Sequence, residues 1–211
     1  MGGSLVCAYH VRRANPQRPC RSDIILRWVR ETGLMSALAP NEGNAFMRIG
    51  HGMDVHKLVE GRDLVLCGIT IPHECGLLGH SDADVATHAL MDALLGAAAL
   101  GDIGLFFPDT EEAYRGARSL DLLRVVMKRL EETGLAPINA DVTIVAQRPK
   151  LRPFVKEMRQ SLADVMDMPL SAVSVKATTT EQLGFEGREE GITAHAVCLL
   201  ADIRGYGYHE P

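Results

Sequence analysis

"SDADVATHALMDALLGAAAL", residues 81–100, is the stretch on which the fold turns. Ser81 is a good helix N-cap, and Asp84, three residues on, completes a capping-box-like start, so the spacing predicts a helix. The flanking segments change character. Upstream, "MRIGHGM" (47–53) and "DLVLCGITIP" (63–72) read as short strands, the second bent or paired at Gly68. Downstream, "SLDLLRVVMKRLEETG" (119–134) is a second helix, with Leu120, Leu123, Met127 and Leu130 on one stripe and Gly134 as its stop. "ADVTIVAQ" (140–147) is a β-branched strand, "LRPFVKEMRQSLADVMDM" (151–168) a third helix, and "AVSVKATTT" (172–180) and "GITAHAVCLLADI" (191–203) closing strands. Strands and helices interspersed in this way indicate an α+β or α/β domain, a mixed β-sheet with helices packed on one face.

The totals allow one ordinary domain with an appendage: 211 residues, 46% hydrophobic and 23% charged. A net charge of −5 gives no basic footprint for nucleic acid. Five cysteines, widely spaced and without a CxxC pair, argue against a disulfide framework and for a reducing compartment. Nothing approaches 18 consecutive apolar residues, so a soluble protein without a membrane partner is expected. Residues 1–46 differ from the rest: six arginines against Asp23, Glu31 and Glu42 give +3, leaving −8 for the remainder. They read as an extension, disordered or non-native, with Met47 as the start of the real domain, a domain over 47–205 and a tail over 206–211. A cytoplasmic location is expected; an Arg-rich, acid-poor leader also fits a plastid transit peptide.

"HGMDVH" (51–56) raises the question of a metal. On an extended backbone Asp54 and His56 project to the same side and can converge on one ion. Catalytic zinc takes three protein ligands and keeps a fourth position open, so a third ligand is needed. On the helix, Asp84 and His88 are four apart and share a face, as do His88 and Asp92, with His80 just before the cap. An Asp/His/His set suits Zn²⁺. Spacing alone also allows Asp84 as a cap and His88 as a helix histidine satisfied by a neighbour.

"MRIGHGMDVH", "GLLGHSDADVATHALMDALLGAAALGDIGLFFPD", "VTIVAQRPKL" and "VKATTTEQLGFEGREEGI" together resemble the 2-C-methyl-D-erythritol 2,4-cyclodiphosphate synthase family over residues 47–203, in the family's order and spacing. The resemblance implies a homotrimer with active sites between adjacent subunits, acting in the non-mevalonate isoprenoid pathway. It implies cyclisation of 4-diphosphocytidyl-2-C-methyl-D-erythritol 2-phosphate with release of CMP. By motif, Asp54, His56 and His88 become zinc ligands, one Zn²⁺ per subunit, and Glu181 the protein ligand of a Mg²⁺ or Mn²⁺ ion on the diphosphate. Thr178, Thr179 and Thr180 become donors to phosphate oxygens and the cytidine moiety, Thr179 within the catalytic set. Ala146, Gln147, Arg148, Pro149, Lys150 and Leu151 resemble the cytosine pocket, and Asp102, Ile103 and Gly104 the ribose-binding stretch. His80 and Ser81 fall where the family contacts the methylerythritol phosphate, with Phe107, Pro108 and Asp109 in the flanking loop. Asp84 is expected to cap the helix or orient a ligand histidine. Phe185 and Arg188 match residues of the family's central trimer cavity, where His195 stands in place of a frequent acid.

Two rival readings remain. An Asp/His/His set with an open position also serves a zinc-dependent phosphohydrolase, although no HExxH base is present. A non-catalytic nucleotide-binding trimer is the other. A second, cytidylyltransferase activity within residues 1–46 is excluded by length, since that domain needs some two hundred residues.

Overall fold

The longest strand is built on alternation. In β1 (Met47–Glu60), Ile49, His51, Met53 and Val55 are exposed while Gly50 and Gly52 are buried, the period-2 pattern of a strand with one covered face. The structure, a computed structural model, describes residues 47–108 and 110–202. The extension before Met47 lies outside the described residues, as do Asp109 and residues 203–211.

After β1 come β2 (Leu64–Leu66), β3 (Ile69–Ile71) and β4 (Cys75–Leu77), then the helices α1 (Val85–Ala97), α2 (Ile103–Phe106) and α3 (Ser119–Glu132). β5 (Leu135–Val145), α4 (Val155–Met166), β6 (Val173–Thr178), α5 (Gly184–Gly187) and β7 (Gly191–Asp202) complete the order. The main sheet runs β4-β1-β7-β5-β6, and β2-β3 form a separate hairpin. β7 is antiparallel to β1 (Asp54 opposite Ala194) and to β5 (Val145 opposite Thr193), while β5 and β6 run parallel around α4. The sheet is therefore mixed, as expected, and the domain is α+β.

The helices cover one face. α1 lies across β1 and β7, α4 against β6, and α3 packs on both helices. α1 approaches β1 without side chains between the backbones: a Cβ on Gly50 would stand 1.8 Å from the Ala93 carbonyl oxygen, and one on Gly52 2.0 Å from that of Ala89. The core is aliphatic, with Leu90, Met91, Leu94, Leu123, Leu130 and Ile144 fully buried. The opposite face carries Ile49, Met53, Val55 and Val197 in exposed positions, and His51 stacked on His195 with ring centroids 5.6 Å apart.

Boundaries differ from the sequence reading in two informative places. The central helix begins at Val85, not Ser81, because Ala83 takes a left-handed φ of 57° and breaks the turn ahead of it. The N-cap is Asp84, whose Oδ1 accepts from Thr87 N at 3.0 Å. β1 runs to fourteen residues because β7 pairs with it up to Lys57 and β4 with its last three. The bend expected at Gly68 is a two-residue hairpin turn in which Cys67 and Gly68 both have positive φ. Among the described residues no helix is long and apolar enough to cross a membrane.

Candidate functional site

Asp54 and His56 both face the helix-covered side of β1, and the direct contact of α1 on Gly52 brings His88 down between them. Three acceptor atoms meet. Asp54 Oδ2 lies 2.9 Å from His56 Nε2 and 3.0 Å from His88 Nδ1, and the two histidine nitrogens are 3.2 Å apart. The other carboxylate oxygen of Asp54 accepts the Val55 N–H at 2.8 Å, so Oδ2 is the free one.

The proton on His56 is fixed by its far nitrogen. Nδ1 stands 2.7 Å from the Leu78 carbonyl oxygen, which can only accept, so Nδ1 carries the hydrogen and Nε2 presents a bare lone pair to the cluster. A bare nitrogen facing a carboxylate at 2.9 Å calls for a cation between them. Tetrahedral zinc with bonds of about 2.0–2.1 Å places its ligand atoms about 3.3 Å apart. The three separations here are close to that, so the residues fit a metal ion.

The electrostatics agree. Burial works to raise the Asp54 carboxyl, but the hydrogen bond and charge of His56, with the His88 ring beside it, overrule burial and hold it well below the usual carboxylate range. Burial works against a charge on His56, and the hydrogen bond and charge of Asp54 outweigh it, raising His56 above its ordinary 6.5. In the metal-free chain a proton stands in for the ion.

The triad opens into a cavity of about 650 Å³ whose wall includes His80, Ser81, Ile103, Gly104, Phe107 and Pro108. Asp102 caps α2, accepting Leu105 N at 2.9 Å. Sequence reasoning missed Tyr114, which lies edge-on to Phe107 at 5.4 Å and helps line the cavity. It also missed Asp82 and Ser119, which stand behind His88. Asp84 has no hydrogen bond to the His88 ring among the described contacts. It caps α1 and accepts the Cys67 and Gly68 amides at 2.9 and 2.6 Å, so the orienting role is corrected to a structural one. His51 faces the other side of the sheet, 3.4 Å from His195.

The remaining expected residues gather elsewhere. Ala146, Gln147, Pro149, Lys150, Leu151, Thr178 and Thr179 line a second cavity of about 630 Å³, which shares no lining residue with the first. Thr180 and Glu181 follow directly, and the Thr179 hydroxyl donates to Glu181 Oε1 at 2.7 Å. Thr178 and Val55, next to Asp54, occupy one row of the sheet through Val145 and Thr193. Three strand spacings of about 4.8 Å put them about 14 Å apart. Phe185 and Arg188 belong to the α5 turn, where Arg188 pairs with Glu190 at 2.8 Å. Arg148 joins Pro149 through a cis peptide and, with Phe185 and Arg188, is not among the residues lining either cavity.

The YgbB family model matches residues 47–201. The chain belongs to the YgbB family. A YgbB-family relative from Desulfitobacterium hafniense, named 2-C-methyl-D-erythritol 2,4-cyclodiphosphate synthase, is 62% identical over 157 residues, 74% of this chain and 99% of the relative. A solved synthase of that name in its CDP-bound form is 45% identical with a TM-score of 0.67, covering 72% of this chain and 99% of that one. The bifunctional IspDF from Campylobacter jejuni is 41% identical with a TM-score of 0.74, covering 77% of this chain; the chain spans 44% of that protein's length. The β1 histidine–aspartate pair, the capped helix and the two cavities all fall inside the YgbB-matched region.

Proposed function

We propose that this chain is a 2-C-methyl-D-erythritol 2,4-cyclodiphosphate synthase of the non-mevalonate isoprenoid pathway, with its activity in residues 47–205. The convergence of Asp54, His56 and His88 on one point beside a substrate-sized cavity carries the reading, together with the names of the YgbB relatives.

An oxygen of the substrate's 2-phosphate attacks the β-phosphorus of its diphosphate. The bond from that phosphorus to the oxygen bridging to the α-phosphate breaks, and CMP leaves with it. Nucleophile and electrophile are both anionic and belong to one molecule, so the protein's task is positioning and charge neutralisation. Asp54, His56 and His88 would hold Zn²⁺, and Glu181 would hold Mg²⁺ or Mn²⁺ through one carboxylate with phosphate oxygens and water. Bound there, the ions supply Lewis-acid polarisation and a template for in-line displacement. His80 and Ser81 bind the methylerythritol phosphate, and Asp102 to Gly104 take the ribose. The segment from Ala146 to Leu151 reads the cytosine edge, and Thr178 to Thr180 donate to the phosphates.

Assembly completes the site. The triad and the Thr178–Glu181 segment must reach the same diphosphate, yet within one chain the Asp54 end and Thr178 are about 14 Å apart in the sheet. We therefore propose a homotrimer in which the triad cavity of one subunit faces the nucleotide cavity of the next.

Phosphorus NMR of the purified protein with the diphosphocytidyl substrate, Zn²⁺ and Mg²⁺ tests this. CMP with a cyclic diphosphate is the expected outcome. Linear monophosphate products would make the protein a phosphohydrolase, and tight CDP binding without turnover would make it a binding protein.

A further inference from the structure

His88 has two ring nitrogens, and a neutral imidazole has one proton to place on them. Nδ1 faces Asp54 and His56. Nε2 lies 2.9 Å from Ser119 Oγ and 3.2 Å from Ser81 Oγ. Ser119, the first residue of α3, is fully buried at 0% exposure, so no solvent competes for its hydroxyl.

That hydroxyl also has one proton. It makes a short hydrogen bond to Asp82 Oδ1, and Asp82 Oδ2 accepts the Ser119 backbone N–H at 2.9 Å. An ionised carboxylate only accepts, so the Ser119 proton goes to Asp82 and Ser119 Oγ is left with lone pairs toward His88. Nε2 must then be the donor. Ser81 Oγ, itself accepting the Ala83 N–H at 3.2 Å, is a more distant alternative acceptor. The proton on Nε2 leaves Nδ1 bare, pointing at Asp54.

We propose that Asp82 and Ser119 are positioning residues of the metal centre: a carboxylate–hydroxyl lock that holds His88 in its Nε2–H form and keeps Nδ1 ready for a cation. Neither residue is a metal ligand. Each histidine of the triad thus has its own lock, a main-chain carbonyl for His56 and a side-chain pair for His88, and only the second can be removed by substitution. Asp82 also ties the entry of α1 to the start of α3, so the same carboxylate fixes ring orientation and proton placement. The identity of the ion rests on the function proposed above; the placement of the proton is a property of the chain itself.

Asp82→Asn is the sharpest test. Asp82 Oδ2 accepts the Ser119 N–H at 2.9 Å, whereas Oδ1 accepts only the longer Asp84 N–H at 3.3 Å, so the amide oxygen of Asn turns to the Ser119 N–H and the amide NH₂ faces Ser119 Oγ. The hydroxyl then swings to donate to His88 Nε2, driving the ring proton to Nδ1. Ser119→Ala removes the acceptor and leaves Ser81 as a partial substitute, while Ser119→Thr keeps the hydroxyl. The readouts are the tautomer of His88 from nitrogen-15 chemical shifts in the metal-free protein, and the zinc dissociation constant from chelator competition.

Wild type and Ser119→Thr are expected to show the Nε2–H form. Asp82→Asn should lose it, with zinc bound about 10–100-fold more weakly, the usual effect of removing a partner behind a ligand histidine. An Asp82→Asn protein that folds, keeps the Nε2–H form and binds zinc as wild type would overturn the lock, whatever Ser119→Thr does. An Nδ1–H form in wild type would overturn it too. A wild type with the Nε2–H form that takes up no zinc would support the lock and overturn the zinc assignment instead.

Discussion

At the level of single residues, the site is a set of acceptors held too close to be comfortable without a positive charge among them. His56→Ala removes one donor of the three and should lower zinc from one per chain to near none, with turnover falling to background, while assembly survives. Metal analysis beside native mass spectrometry checks both; zinc retained at one per chain would sink the ligand assignment. The pH response has a sign for each group. Asp54, depressed below its ordinary 3.8, stabilises the metal-free fold above that pH, and the contribution is lost as pH falls through its folded value. His56, raised above 6.5, contributes fully below that pH, and the contribution is lost as pH rises through its folded value. The metal-free triad is therefore most stabilising between those ordinary values of 3.8 and 6.5. Zinc competes with the proton on His56, so its stabilising effect should grow as pH rises through the raised His56 value. Melting curves with and without zinc from pH 5.5 to 8 should show the gap widening; a constant gap would mean that no proton is displaced.

Elements bring these residues together, and two contacts decide how closely. Gly52 lets the α1 backbone rest on β1 one residue from His88, since a Cβ there would meet the Ala89 carbonyl oxygen at 2.0 Å. Gly52→Ala must push strand and helix apart, at a cost of about 3 kcal/mol, the upper part of the overpacking range. It should also weaken zinc binding by separating His88 from Asp54. Urea unfolding and chelator competition on one sample read both, and an unchanged denaturation midpoint would contradict the packing. Asp84 links α1 to the β2–β3 turn, so Asp84→Ala loses the helix cap and strands two amides. A loss of about 3 kcal/mol follows from cap and unsatisfied donors together, again measurable by urea unfolding. The strand–helix order and the shared side of Asp54 and His56 were legible in the sequence because they follow from local periodicity. The Asp82–Ser119 pair was not, because it depends on how α3 docks beside α1, thirty-seven residues away along the chain. The start of α1 was misplaced because Ser81 is as good a cap as Asp84 in sequence, and only the left-handed turn at Ala83 separates them. The roles proposed for Thr178 to Glu181 rest on motif resemblance, because their local pattern is that of an ordinary strand end.

At the scale of the whole molecule, the described residues form two separate cavities, and the proposed function makes them halves of one site. The triad and the Thr178–Thr179 segment lie in cavities without a common residue, toward opposite edges of a sheet whose other face carries Ile49, Met53, Val55 and Val197 in exposed positions. An exposed apolar sheet face of this kind is a natural contact for further copies of the chain. Subunit mixing separates a site within one chain from a site between chains. His56→Ala and Glu181→Ala each leave every site with one defective half, so either variant alone should be inactive. If the halves come from different subunits, a site in a randomly mixed closed ring is intact only when its triad donor and its nucleotide donor are both sound. At equal amounts each condition holds about half the time, giving about one quarter of wild-type turnover after dissociation and reassembly. If both halves came from one chain, no mixture could contain a sound site and turnover would stay at background. Turnover against mixing ratio should therefore follow an arch that peaks at equal amounts, and a flat line at zero would rule out sites shared between subunits.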